Sequence, residues 1–345
     1  MRKGIAVNFI VQSIQYQPYQ LAFREPFQTA MGILLSREGF VIEIRDRRSD
    51  YQVQHIGLGE SAPLYGFGME SLLETEQALK EAQRSLINAE IKNLKDIENL
   101  LAKYNSTPAA KHGIELALLN LLAQVQGISI SHLLANSFSG IVRDQVTVNA
   151  VIGAFSPELA ATKAREYIEQ GYHCLKIKVG TQDFEMDLRR VEAVRSQVGN
   201  DIQIRIDANQ GWSVEDAIAN LKKLESLQIE YVEQPVAASN LLGMTVVRRS
   251  QSIPIAADES VNSLAQLQQV IKAQAADIII LKPMALGGII TANRAAAIAF
   301  QAGLDVVVTT TIDGAIARQA AYDLAAALPI QRACGLDTGH LLIES

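Results

Sequence analysis

The chain has 345 residues and a mass of 37.6 kDa, room for one large domain or a large domain with a smaller companion. Its 48% apolar and 20% charged residues exclude a disordered or fibrous polymer, and a net charge of −6 argues against a surface that neutralises nucleic-acid phosphates. No apolar run approaches the ~20 residues that span a bilayer. Residues 1–19 lack the sustained apolar core of a secretory signal. Two cysteines, Cys174 and Cys334, are too few for a disulfide framework. These features predict an acidic, well-cored cytoplasmic protein without a nucleic-acid or membrane partner.

Short β-like stretches occupy residues 10–18, 39–45 and 53–60. The charged run at 45–50 reads as a solvated hairpin tip between the last two. Apolar residues then recur at helical spacing over 71–89, 97–104 and 109–126. Residues 1 to about 130 therefore read as an α+β unit. From residue 145 the texture changes. Strand-like runs at 145–152, 174–180, 202–208, 229–235, 253–259, 276–283 and 304–310 alternate with amphipathic helical stretches, and 333–339 is a candidate eighth strand. That alternation predicts βαβ units and a parallel α/β sheet. Eight parallel strands favour a closed barrel over a doubly wound sheet. No glycine-rich dinucleotide fingerprint follows the first strand, and Gly287-Gly288 reads as a turn rather than a phosphate cradle.

One charged residue closes each of five successive strands: Lys178, Asp207, Glu233, Asp258 and Lys282, at intervals of 24 to 29 residues. That interval is about one βα unit, so in a barrel all five converge on the rim where such folds place their active sites. Three crowded carboxylates repel one another and raise each other's pKa, a conflict that a divalent cation resolves. Oxygen ligands suit magnesium, with manganese as a substitute. The five histidines show no ligand spacing, which disfavours zinc.

Lys176 and Lys178 share one face of their strand, while Leu175, Ile177 and Val179 take the other. Paired lysines inside a barrel are costly unless used. Mutual repulsion and a nearby metal are expected to lower their pKa toward neutrality, giving a usable base. Lys282 approaches from the opposite side of the ring. The set suits removal of a proton α to a carboxylate, with Lys176 and the metal holding the resulting enediolate. Asn209 and Glu259 read as partners of these groups, or equally as structural loop residues.

The motifs Lys176-Ile-Lys178, Asp207-Ala-Asn209, Glu233-Gln-Pro235, Asp258-Glu-Ser260 and Lys282-Pro283 resemble the muconate-lactonizing branch of the enolase superfamily. The resemblance covers nearly the whole chain. It implies an N-terminal α+β capping domain over residues 1–130 and a TIM-like (β/α)7β barrel over 131–325. Residues 326–345 would supply the last strand and a segment returning to the cap. It also implies magnesium and a lysine base. Loops near 20–32 and 60–68 would close over the substrate, a small-molecule carboxylate.

Within the branch, Phe23 to Gly32, Arg37 to Phe40 and Gly59 to Ser71 are most similar to o-succinylbenzoate synthases of menaquinone biosynthesis. Thr309, Asp313 and the 335–338 run are similar to that group's last two strands, which makes Thr309 and Asp313 candidate substrate contacts. The implied reaction is a lyase step, the syn-dehydration of 2-succinyl-6-hydroxy-2,4-cyclohexadiene-1-carboxylate. Two alternatives in the branch are an N-acylamino acid racemase and a dipeptide epimerase. Asp337-Thr-Gly339 lacks the second acid that dipeptide epimerases carry there. A reading from another class is a non-catalytic barrel that binds an acidic metabolite through a metal; proton exchange at an α-carbon would eliminate it. The sequence leaves the oligomeric state open, a homo-oligomer included.

Overall fold

The computed structural model describes residues 8–29, 32–47 and 55–343. The first strands, β1 (Phe9–Thr29), β2 (Gly32–Asp46) and β3 (Ile56–Ser61), form an antiparallel sheet. A short β4 (Glu90–Ile91) joins it in the order β3-β2-β1-β4. The strands run longer than their local patterns suggest because β1 and β2 pair along a single long hairpin. The expected solvated tip at 45–50 lies partly outside the described residues. Within them the expectation fails at Asp46, which is buried and accepts a hydrogen bond from the Ile10 amide at 3.0 Å.

The helices α1 (Leu72–Ser85), α2 (Leu94–Leu101) and α3 (Pro108–Gln126) follow close to their predicted spans. A reciprocal Ser71–Glu74 capping box starts α1. Helix α3 is buried along most of its length and lies against β3. Glycines permit that approach: a Cβ at Gly57 would sit 2.0 Å from the Ala117 carbonyl oxygen, and one at Gly59 1.9 Å from that of Gly113. After α4 (Ile130–Ala135) the chain enters the barrel.

The barrel strands are β5 (Ala150–Ile152), β6 (Cys174–Lys178), β7 (Gln203–Asp207), β8 (Ile229–Glu233), β9 (Ile255–Ala257), β10 (Ile278–Leu281) and β11 (Asp305–Val308). Between them run α5 (Pro157–Glu169), α6 (Phe184–Val198), α7 (Val214–Leu224), α8 (Leu241–Arg249), α9 (Leu264–Ala273), α10 (Pro283–Leu286) and α11 (Ile289–Gln301). Helix α12 (Ala315–Ala327) follows β11. All seven strands are parallel and neighbour one another in chain order. The candidate eighth strand contributes two parallel bridges, Cys334 to Val148 and Gly335 to Thr309. Those bridges close the ring between β11 and β5. Below the mouth, Arg205 is fully buried, bonded to Glu230 at 2.7 Å and to the Ala333 carbonyl at 2.7 Å, over the Tyr231 ring. Arg205 and Tyr231 thus fill space beneath the strand C-termini.

Carboxylates from the first 130 residues anchor barrel helices. Glu60 accepts from the Gly314 and Ala317 amides, at 2.7 and 3.0 Å, where α12 begins. Glu115 accepts from the Ile290 amide at 2.8 Å where α11 begins. Helix N-termini present unpaired amides and positive partial charge, so each carboxylate fills a ready anion site. The Gly287-Gly288 pair is the expected turn, and a Cβ at Gly288 would stand 2.4 Å from the Glu115 carboxylate.

Glu115 also predicts a pH effect on stability. Burial pushes its carboxyl up to about 7, the Ile290 amide offsetting this only in part. Below the ordinary value of 4.5 the group is protonated in folded and unfolded chains alike. Between 4.5 and about 7 only the unfolded chain releases the proton, so stability falls as pH rises through that window. The loss from this group is about 3 kcal/mol. Denaturant melts at about pH 4.5 and pH 8 should show a larger loss in wild type than in Glu115→Gln. Equal losses in the two proteins would refute the assignment.

Candidate active site

The side chains that close the strands meet at one mouth. Lys176 and Lys178 on β6, Asp207 on β7 and Glu233 on β8 line a single cavity with Asp258 and Lys282, which directly follow β9 and β10. Sheet register sets Lys178 beside Asp207 and Asp207 beside Glu233. Leu175, Ile177 and Val179 are buried on the opposite face, as the alternation requires. The cavity encloses roughly 700 Å³, counting space open to solvent at its mouth.

The lysines and carboxylates answer one another. Lys176 Nζ lies 2.9 Å from Glu233 and 3.3 Å from Asp207. Lys178 Nζ donates to Asp207 and to Asn209 Oδ1, both at 2.7 Å. Lys282 Nζ donates to Asp258 at 2.5 Å and stands 4.7 Å from the centre of the Phe67 ring. Without the metal that the expectation of lowered lysine pKa values also invoked, the ion pairs act the other way at Lys176. Burial lowers that pKa, but Glu233 and Asp207 outweigh it and hold the ammonium well above the ordinary lysine range. Carboxylates interleave between the cations, so repulsion among like charges is not what dominates.

The carboxylates respond unequally. Burial would raise Asp207, but Lys178 and Lys176 outweigh it and hold the group below the usual range. Glu233 is raised by burial and by the charge of Asp207. Asp258 is raised by burial, with Lys282 opposing.

Among the described residues, no three metal-ligating side chains are gathered as a ready cage. Each carboxylate is drawn instead onto an ammonium. The donor set still fits a hard cation. Three buried carboxylates sit on successive strand ends, and Glu259 Oε2 is buried without a hydrogen-bond partner.

The secondary candidates divide. Asn209 lines the cavity and bridges Lys178 to Glu259, its Nδ2 donating to Glu259 Oε1 at 3.2 Å. Glu259 is not among the lining residues. Thr309 lines the wall, its hydroxyl donating to the Gly335 carbonyl at 3.0 Å. Asp313 does not line it. That carboxylate is buried behind the wall, accepting from the Thr311 hydroxyl at 2.5 Å. Loop 60–68 contributes Leu64 and Phe67, whereas the described part of 20–32 supplies no lining residue.

Sequence reasoning left Thr310, Thr311, Ile312 and Thr338 unassigned, although all four line the cavity. The threonine run at a strand end was the available signal. Gln234 was also passed over. It is fully buried, its Oε1 accepts from the amides of Asp258 and Ser260 at 3.0 and 3.2 Å, and its Nε2 donates to Ser260 Oγ at 2.9 Å. The amide thereby fixes the backbone of Asp258 from the residue beside Glu233.

Comparison with known proteins places this arrangement. Residues 159–343 match the family model described as enolase C-terminal domain-like. The L-Ala-D/L-Glu epimerase of Bacillus subtilis is 32% identical over 88% of this chain and 81% of its own. The o-succinylbenzoate synthase of Thermobifida fusca is 42% identical over a shorter span, 58% of this chain and 62% of its own. A dipeptide epimerase from Enterococcus faecalis, solved with magnesium and the dipeptide L-Leu-L-Tyr, superposes with a TM-score of 0.89 at 30% identity. It covers 97% of this chain and 92% of that one. No helix among the described residues is long and apolar enough to cross a membrane. The chain belongs to the enolase superfamily.

Proposed function

We propose that the protein is an o-succinylbenzoate synthase, converting 2-succinyl-6-hydroxy-2,4-cyclohexadiene-1-carboxylate to 2-succinylbenzoate with loss of water. The observation that carries this reading is the end of the eighth strand. Asp337 is hydrogen-bonded to the Tyr172 hydroxyl and does not line the cavity; Thr338 does. At Gly339 a Cβ would stand 2.6 Å from the Arg318 guanidinium carbon, so a cation occupies the place of an acid that would hold a substrate ammonium. Among the described residues, the cavity's only carboxylates are Asp207, Glu233 and Asp258. Apart from its three lysines and Asn209, the remaining wall is hydroxylic and apolar, with Leu64, Phe67, Val151 and Ile312 suited to a carbocyclic ring. The higher identity to the Thermobifida synthase over the shared span supports the same reading.

Asp207, Glu233 and Asp258 would hold magnesium, which when bound would supply a positive charge for the substrate carboxylate. Lys178, as the neutral amine, removes the α-proton. The C–H electron pair passes into the carboxylate as an enediolate and then forms the new ring double bond as the C–O bond breaks, and Lys178 returns its proton to the departing hydroxyl as water. Lys176, held between Glu233 and Asp207, offsets the negative charge that grows on the carboxylate. Lys282, four strands around the ring from Lys178, stays a fixed cation against Phe67. Leu64 and Phe67 supply apolar surface to the cavity wall.

The second reading is a racemase or epimerase, favoured by two lysines on opposite sides of the cavity and by the fuller coverage of epimerase relatives. Inversion needs an acid and a base on opposite faces, whereas syn-dehydration needs only one base. Side-by-side kcat/KM values compare transition-state discrimination directly. The cyclohexadiene should be converted far more efficiently than N-succinylamino acids or dipeptides. Faster inversion of an N-acylamino acid or dipeptide would remove the synthase assignment and make Lys282 the second base, leaving the fold and the metal site standing.

A further inference from the structure

Ile312 lines the cavity with φ at 58°, in the left-handed region where glycine is the ordinary choice. A β-branched residue persists there only when its surroundings over-determine it. The surroundings are specific. Arg37 on β2 is 3% exposed, and its Nε donates to the Ile312 carbonyl at 3.1 Å. The same guanidinium donates through Nη1 to Pro63 at 3.1 Å and through Nη2 to Ala62 at 2.6 Å, the carbonyls just before Leu64. The Ile312 amide donates to Thr310 Oγ1 at 3.3 Å, and Asp313 holds the Thr311 hydroxyl. Two segments of the cavity wall, one before each of Leu64 and Asp313, thus share one buried cation.

Burying an arginine is costly, and its planar fork holds three carbonyls in fixed in-plane directions that the compact ammonium of a lysine does not reproduce. Simple attachment of the N-terminal sheet to the barrel is already provided by Glu60 at the start of α12. We propose that Arg37 is a positioning residue that sets the pocket's shape by pinning Ile312 and the Leu64 segment to each other, and so selects the substrate. This rests on the cavity being the substrate site of the proposed reaction. The strained backbone directs a branched side chain into the pocket, where glycine would leave a gap.

The test combines Ile312→Gly, Arg37→Met, Arg37→Lys and the double variant Arg37→Met/Ile312→Gly in the full chain. Ile312→Gly should melt no lower than wild type, because relief of strain offsets the lost contacts. It should nevertheless lose at least ~10-fold in kcat/KM for the cyclohexadiene, mainly through KM. Arg37→Met should raise KM similarly, yet add less than ~2-fold in the Ile312→Gly background, since coupled residues are not additive. Arg37→Lys keeps the charge and should behave like Arg37→Met; it replaces that variant if the methionine protein does not fold. Additive effects, or a KM in Ile312→Gly within ~2-fold of wild type, would overturn the proposal.

Hydrogen exchange in the substrate-free protein gives a second readout. Amides 310–314 should exchange at least ~10-fold faster in the Arg37 variant while those of β10 are unchanged. Unchanged exchange at 310–314 would also overturn it. Wild-type protein inert toward the cyclohexadiene would sink the synthase reading alone, because the exchange measurement needs no substrate.

Discussion

Lys178→Ala is expected to lower turnover by ~10²–10⁴-fold, the usual contribution of a positioned general base. Lys178 extends from the end of β6 into the cavity, where Asp207 and Asn209 orient its amine. Alanine removes the proton acceptor and leaves Glu233 and Asp258 with their own partners, Lys176 and Lys282. Substrate and magnesium affinities should therefore change little, and the loss should fall on kcat. Single-turnover measurement of dehydration, with substrate binding followed separately, separates the two effects. Near-normal turnover in this variant would show that the base has been misassigned.

Removal of divalent cations is expected to abolish activity, and magnesium or manganese should restore it. Three buried carboxylates at one mouth form an oxygen donor set that three lysines now share, and an ion would compete directly with those ammonium groups. Asp258→Asn should weaken magnesium binding by removing a charged ligand, which direct titration of the protein with magnesium would read without any turnover. The same change leaves the Lys282 ammonium, paired with Asp258 at 2.5 Å, without its counter-charge, so some loss of thermal stability should accompany it. Full activity in thoroughly chelated protein would remove the metal from the mechanism.

The sequence determined the strand-closing residues by itself. Alternation along β6 assigns Lys176 and Lys178 to one face and Leu175 and Ile177 to the other, and this is a local property of the strand. The repeat of about one βα unit likewise carries Asp207, Glu233, Asp258 and Lys282 to the same rim, since parallel strands with similar connections end together. The closing strand was legible only as a short run, because its pairing reduces to bridges at Cys334 and Gly335.

Tertiary structure decided what those groups touch. Lysines expected to repel one another are interleaved with carboxylates because neighbouring strands, not neighbouring residues, set the spacing. Asp313 shares the strand-end pattern of the true lining residues, yet a turn of the chain at Ile312 sends it behind the wall. Arg37 lies 275 residues from Ile312 in sequence, and no period or motif connects them. Side-chain direction along a strand follows from local backbone geometry, whereas the partners of a buried charge come from distant segments brought together by packing. Residue spacing could therefore nominate the chemistry, and only the folded chain could define the shape of the pocket around it.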